Sequence, residues 1–212
     1  MLVGVFLLKK VSFALPIKEI YVILHDKFSY MKKTIVLAVT ALALLFSSCA
    51  HEYNKVYMSN DTQYKYEYAK ECFANGKWQR AVSLLTDLIV VQKGSENAQE
   101  SLYMLAMAQY NNKDYEGASA TFKRYYATYP KGYFAEMAEF YVGQSLYECT
   151  PEPRLDQSAT VAAIAAFQEY LDLYPDAIQK TAAQQRLFEL QDKLVMKELY
   201  SAQLYYDLGP YF

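Results

Sequence analysis

Asn75-Gly76-Lys77-Trp78-Gln79-Arg80-Ala81 and Asn112-Lys113-Asp114-Tyr115-Glu116-Gly117-Ala118 are two copies of one turn, 37 positions apart. A glycine or lysine beside an asparagine stops one apolar-periodic stretch, and a large aromatic followed three residues later by alanine starts the next. After the first copy, Trp78, Ala81, Val82, Leu85, Leu88 and Ile89 recur at helical spacing. Phe134 to Tyr147 matches Asn97 to Tyr110 at the same shift, which sets Tyr141-Val142-Gly143 over Met104-Leu105-Ala106. The chain is therefore read as a run of repeated helix pairs, an all-α fold.

Within the second copy, Leu102, Leu105, Ala106, Tyr115, Ala118, Phe122 and Pro130 occupy the spacing of a tetratricopeptide (TPR) unit, whose basic period is about 34 residues. In such a pair a large side chain on one helix, Leu102 or Phe122, fills the gap left by a small one, Ala106 or Ala118. Pro130 lacks an N–H and biases Tyr129 away from helical angles, so the second helix is expected to end there. One unit cannot cover its own apolar face, and about three are needed for a stable stack.

The third unit is stretched. Ala163, Phe167 and Pro175 match Ala118, Phe122 and Pro130 only at a shift of 45, so eight residues are inserted between its helices. They fall in Cys149-Thr150-Pro151-Glu152-Pro153-Arg154-Leu155-Asp156-Gln157-Ser158, where two prolines exclude helix and Asp156 or Ser158 can cap the next helix. Insertions in such arrays map to loops on one face, often the binding face, although a loop can also be a tolerated spacer.

Asn60 or Asp61 is expected to cap a first helix running through Phe73, with Gly76 just past its end. From Ala177 to Asp207 no proline or glycine interrupts a pattern carrying Leu187, Leu190, Leu194, Leu199, Ala202 and Tyr206, which predicts one long helix or two nearly collinear ones. Gly209 and Tyr211 then take the register of Gly76 and Trp78, so residues 60–212 are read as about three complete units, a long terminal helix and an incomplete fourth unit. That last helix is expected to leave Leu199 and Leu204 uncovered, in a fragment or under a partner.

Upstream, Lys32 and Lys33 precede the mostly apolar stretch Thr34 to Phe46, and Phe46-Ser47-Ser48-Cys49 comes next. The stretch is shorter than the ~20 residues of a spanning helix and suits a signal-peptide core. Small residues before a cysteine resemble the lipobox of bacterial lipoproteins. That resemblance implies cleavage after Ser48, acylation of Cys49 and a lipid-anchored tether over residues 49–59. Residues 31–48 are then the signal peptide. Residues 1–30 are an over-extended start or an upstream extension, since Met31 is itself a plausible beginning.

Of the 21 basic residues 6 lie before Cys49, as do 2 of the 23 acidic ones. The remainder carries 15 against 21, a net charge of −6, which makes a nucleic-acid partner a poor fit. Catalysis has little to use. His25 and His51 lie outside the repeats, no glycine-rich phosphate loop occurs, and pairs such as Glu136 with Glu139 or Glu169 with Asp172 are read as solvated helix surface. Cys72 and Cys149 fall two units apart, beyond disulfide reach, and are read as inert thiols. No enzyme activity, cofactor or metal is expected. The 22 tyrosines offer ring packing between helices and, for a minority, a recognition surface for an extended peptide.

Lipobox Cys49, Tyr53-Asn54-Lys55-Val56, Tyr66-Glu67-Tyr68-Ala69-Lys70, the Tyr115 to Pro130 unit, Arg154-Leu155-Asp156-Gln157-Ser158 and Lys193 to Glu198 before Leu204-Tyr205-Tyr206 together resemble BamD-type lipoproteins, especially Bacteroidetes members. The segment around Arg154, Leu155, Asp156 and Gln157 is the most specific part. The resemblance implies a subunit of the outer-membrane β-barrel assembly (BAM) machine, held by lipid on the periplasmic face of the outer membrane. It further implies five TPR units, of which the N-terminal ones meet unfolded outer-membrane proteins and the C-terminal ones dock on the barrel-forming BamA-like subunit. Stopping inside the fourth unit puts that docking in question. Two rival roles are a SusD-like glycan-capturing lipoprotein, usually far longer, and a cell-envelope adaptor. A wall-cleaving enzyme would need a separate catalytic domain.

Overall fold

The computed structural model describes residues 52–95 and 97–209. The signal and lipobox residues Phe46, Ser47, Ser48 and Cys49 therefore lie outside the described part, as does Tyr211. After a short helical stretch at 52–57, seven longer helices succeed one another with no strand among the described residues. They are α1 (Thr62–Ala74), α2 (Trp78–Val91), α3 (Ala98–Asn111), α4 (Tyr115–Thr128), α5 (Ala135–Glu148), α6 (Ser158–Leu173) and α7 (Lys180–Leu208). All seven belong to one compact unit that begins at Lys55.

The repeat register survives to the residue. Helices α2 and α4 are related by the 37-residue shift at both ends, and so are α3 and α5. Phe73 touches Trp78 across the first turn. Further along, Gln99 and Tyr110 of α3 meet Tyr125 and Tyr115 of α4, so later residues on one helix face earlier ones on the next. Phe140 meets Tyr170 and Gly143 meets Phe167 in the same sense between α5 and α6. Consecutive helices are thus antiparallel neighbours, as short connections require. Contacts between the first helices of successive units instead keep a constant offset: Gln63 with Asn97, Tyr66 with Glu100, Gln144 with Arg186 and Tyr147 with Glu189. Those helices run parallel, side by side, as in a TPR-like solenoid.

Turn chemistry agrees closely with the sequence. Asp61, not Asn60, caps α1, its Oδ1 accepting from Gln63 N and Tyr64 N at 3.0 Å each. Gly76 takes φ +68, and Lys113, 37 residues later, is forced to φ +65 at the same place. Tyr129 and Tyr174 end α4 and α6 with nearly the same angles, φ −130 with ψ 62 or 67, each before a proline. In the inserted loop the cap position falls on Gln157, not on Asp156 or Ser158; Asp156, one residue earlier, accepts from Ser158 N through Oδ2 at 3.1 Å, and Ser158 is already helical.

One expected register is corrected at the end of the chain. Lys180 stands where Ala135 stands at the shift of 45, yet α7 runs for 29 residues against 14 for α5. Nothing between the two halves breaks the helix. Gly209 is right-handed at φ −51 and does not repeat the left-handed turn of Gly76. The first half of α7 is held by Ala183 and Leu190, packed with Phe140, Ala163, Phe167 and Tyr170. Leu199 and Leu204 in the second half are more than half exposed, as anticipated.

Candidate binding face

The first helices of the units, α1, α3, α5 and the start of α7, lie side by side and form one continuous face. Tyrosine hydroxyls bridge the seams. Tyr66 donates to Glu100 Oε2 at 2.6 Å, Tyr147 donates to Glu189 Oε2 at 2.7 Å, and Tyr110 makes a longer contact to Glu148 Oε1 at 3.5 Å. Each carboxylate has a second partner: Lys70 Nζ at 3.4 Å on Glu100, Gln144 Nε2 at 2.9 Å on Glu148 and Arg186 Nη1 at 2.8 Å on Glu189. Arg186 also covers the Tyr147 ring at 4.4 Å, a cation over a π face. Burial first, then the bond to a carboxylate, raises the pKa of Tyr66 and Tyr147, so both remain protonated donors. The Tyr147 and Arg186 bonds hold Glu189 below the ordinary carboxylate range.

Sequence reasoning could not sort these tyrosines into packing and surface classes. The seams do so. Tyr103 stacks flat on Phe134 at 4.3 Å between centroids and meets Phe122 and Tyr125 edge-on, and burial raises its pKa. A pair of ring and carboxylate spaced one unit apart on parallel helices was the available signal.

The expected packing residues come together as read. Leu102, Leu105, Ala106, Ala118, Phe122 and Phe167 are buried, Tyr115 is half-buried against Tyr110, and Pro130 and Pro175 sit exposed at the helix ends. The unit-three copy of the contact is the tightest: a Cβ on Gly143 would lie 2.8 Å from the Phe167 ring. Glu139 corrects the expectation of a solvated pair. It is 5% exposed at the position Leu102 holds one unit earlier, whereas Glu169 and Asp172 are exposed. Burial, then the Glu169 carboxylate, pushes the Glu139 pKa up, and Lys123 draws it down only in part.

The signature loop is a brace for α7. Gln157, buried, donates to the carbonyls of Glu152 at 2.8 Å and Leu155 at 3.1 Å and accepts from Thr160, which fixes the loop's shape. Lys197 donates to the Leu155 carbonyl at 3.2 Å, Lys193 to Thr150 Oγ1, and the Arg154 guanidinium lies 4.7 Å above the Tyr200 ring. Arg154, Lys197, Tyr200, Ser201, Leu204 and Asp207 line a groove of about 410 Å³ there. Cys72 is buried and Cys149 half-buried. Among the described residues no group of three or more His, Cys, Asp or Glu side chains could hold a metal, and no helix is long and apolar enough to cross a membrane.

Parallel first helices bearing a shared face, with paired second helices behind, define a TPR-like helical-repeat scaffold. Residues 58–212 match the family described as YfiO, outer membrane lipoprotein, and the chain belongs to that family. It is 24% identical over 171 residues to the outer membrane protein assembly factor BamD of Caulobacter vibrioides, covering 79% of this chain and 56% of that one. It is 30% identical over 148 residues to the putative outer membrane protein assembly factor BamD of Aquifex aeolicus, covering 68% of this chain and 47% of the other. The chain spans about half the length of these relatives.

Proposed function

We propose that this chain is the BamD-type subunit of an outer-membrane β-barrel assembly machine, a non-catalytic scaffold that holds unfolded barrel precursors. The observation that carries this reading is the family match across the whole helical stack, joined to relatives that are themselves named assembly factors. The seam-locked face of α1, α3 and α5 supports it physically: backbone curvature is fixed in advance, so an extended segment binds without the scaffold losing further entropy. Half-buried rings at the seams supply rigid amphipathic contacts at low entropic cost. The family match favours this reading over glycan capture.

In this proposal Cys49 carries the lipid, because a triacylated cysteine holds far more firmly than one chain. The scaffold hangs on the periplasmic side, and anchoring confines the search for partners to the membrane surface. A partner resembling BamA is expected to dock toward the α7 end. Affinity purification of the tagged chain from its own host tests the assembly role. Recovery of a barrel-forming subunit and of unfolded outer-membrane proteins is expected, and their absence overturns it. Retention of a Cys49→Ser variant in the membrane fraction overturns the anchor.

A further inference from the structure

We infer that the edge of the solenoid formed by the turns α2–α3, α4–α5 and α6–α7 rests on the bilayer surface, with Tyr133 and Ile178 seated in the lipid interface. The contact is made by the folded body itself, separately from any acyl chain.

Tyr133 and Ile178 are the two most exposed large apolar side chains among the described residues, at 90% and 93%. They occupy the same repeat position, related by the 45-residue shift that relates Phe122 to Phe167. The Tyr133 ring touches Phe134 edge-on at 4.9 Å between centroids, yet most of its surface stays in solvent. The last two residues of α2, Val90 and Val91, are exposed where the helix enters the α2–α3 turn. A lysine stands within two residues of the apolar group each time: Lys93 after Val91, Lys131 before Tyr133 and Lys180 after Ile178. An exposed ring or branched chain flanked by lysine is the composition that sits at a lipid interface, the apolar group inward and the lysine stem snorkelling outward. Glu96 and Asp176 lie in the first and third turns, so charge alone does not carry the contact.

The topology places these turns together. Because consecutive helices alternate in direction, the N-termini of α1, α3, α5 and α7 all lie on one edge, and these three turns lead into the last three. The chain enters α1 at Asp61 on that same edge. The opposite edge, made of Asn75–Lys77, Asn112–Asp114 and the inserted loop, is a helix length away, about 20 Å. Of its residues only Leu155 is a large exposed apolar group, and its carbonyl is held by Lys197. A tether entering at Asp61 therefore presents the apolar edge to the surface it comes from. This orientation rests on the anchored reading given above. The side-chain pattern does not.

Tryptophan quenching by brominated lipid tests the contact in the full chain on phosphatidylethanolamine/phosphatidylglycerol vesicles. Trp78, the one native tryptophan, lies at the start of α2 on the far edge and sets the baseline. Tyr133→Trp and Ile178→Trp are each expected to be quenched at least two-fold more than Leu155→Trp. Equal quenching of the three, or none in any, overturns the proposal. Failure of the anchor reads out separately, as loss of vesicle cosedimentation by the unsubstituted chain. The comparison is then made with the Cys49→Ser chain at high vesicle concentration, where the same inequality is required.

Discussion

The second and third units place a phenylalanine of the second helix over a small residue of the first, but with different clearance. In the second unit the corresponding residues are Phe122 and Ala106, both fully buried. Phe167 faces Gly143, where even a methyl group would stand 2.8 to 3.0 Å from three ring carbons. Nine residues join α5 to α6 where three join α3 to α4, and α6 is two residues longer than α4, which together account for the inserted eight. The third unit differs in two further places: Glu139 is buried where Leu102 sits, and the Tyr170 hydroxyl lacks the partners that Tyr125 has. One template thus yields a relaxed unit and a compressed one.

The largest expected effect removes the ring that makes the compressed contact. Phe167 is fully buried and packs with Phe140 as well as Gly143, so Phe167→Ala should lower stability by about 3–5 kcal/mol in chemical denaturation. A loss under ~1 kcal/mol would mean the unit does not depend on this ring. Next comes Gly143→Ala, which merely copies the second unit's residue. It should cost about 1–3 kcal/mol, because ring carbons cannot swing away as a flexible chain end could. A neutral result would show that the two units have equal clearance.

Glu139 gives a smaller effect of opposite sign. Its pKa is raised in the fold, so its contribution to stability is fully present below the unfolded carboxylate value, near 4.3, and is lost as pH rises through the higher folded value. Glu139→Leu, again the second unit's residue, should raise stability at neutral pH by about 1–2 kcal/mol and flatten that acidic limb. Glu189, held low by Tyr147 and Arg186, should act in reverse, its contribution present above the unfolded value and fading as pH falls through the folded one. Unfolding curves of Glu139→Leu and Glu189→Gln from pH 3 to pH 8 separate the two, and a parallel pH response in both variants would contradict the assignment.

Much of this was legible in the chain. A shift of 37 fixes α3, α4 and α5 to the residue because period, turn and cap chemistry all agree at Asn112 to Ala118. Position 139 overlies Leu102 at the same shift, a signal of core burial that the reading of Glu136 with Glu139 as solvated surface passed over. Residue type argued for solvent, and register won. Two things were not legible. Tyrosine–carboxylate seams depend on which first-helix faces meet, which no local pattern encodes. The run of α7 past Lys193 was ambiguous because an uninterrupted helical pattern is equally consistent with two helices, and Gly209, which follows the last residue of α7, does not take the left-handed turn of Gly76. For the candidate site, the loop at Arg154 to Gln157 could be placed from its prolines, while its grip on Lys197 and Tyr200 needed α7 to be continuous.

The finest difference between the units is a single hydroxyl. Tyr125 and Tyr170 are both fully buried and related by the 45-residue shift. The Tyr125 oxygen accepts from Gln99 Nε2 at 2.6 Å and from Phe134 N at 3.2 Å, and Gly132 makes the room, since a Cβ there would lie 2.7 Å from that oxygen. In the third unit Glu136 replaces Gln99 and Ala177 replaces Gly132. The Tyr170 hydroxyl faces the Gln179 N–H without a well-formed hydrogen bond. Burial first, then the Glu136 charge, pushes its pKa up to about 12. Tyr125→Phe strands a half-buried amide and a half-buried backbone N–H and should cost about 1–3 kcal/mol, whereas Tyr170→Phe removes an oxygen that nothing holds and should stay within about 0.5 kcal/mol of neutral. The comparison of the two by thermal unfolding isolates the hydroxyl from the ring. Equal losses would mean that Tyr170 has found the partner its twin has, and the third unit would then be no more strained than the second.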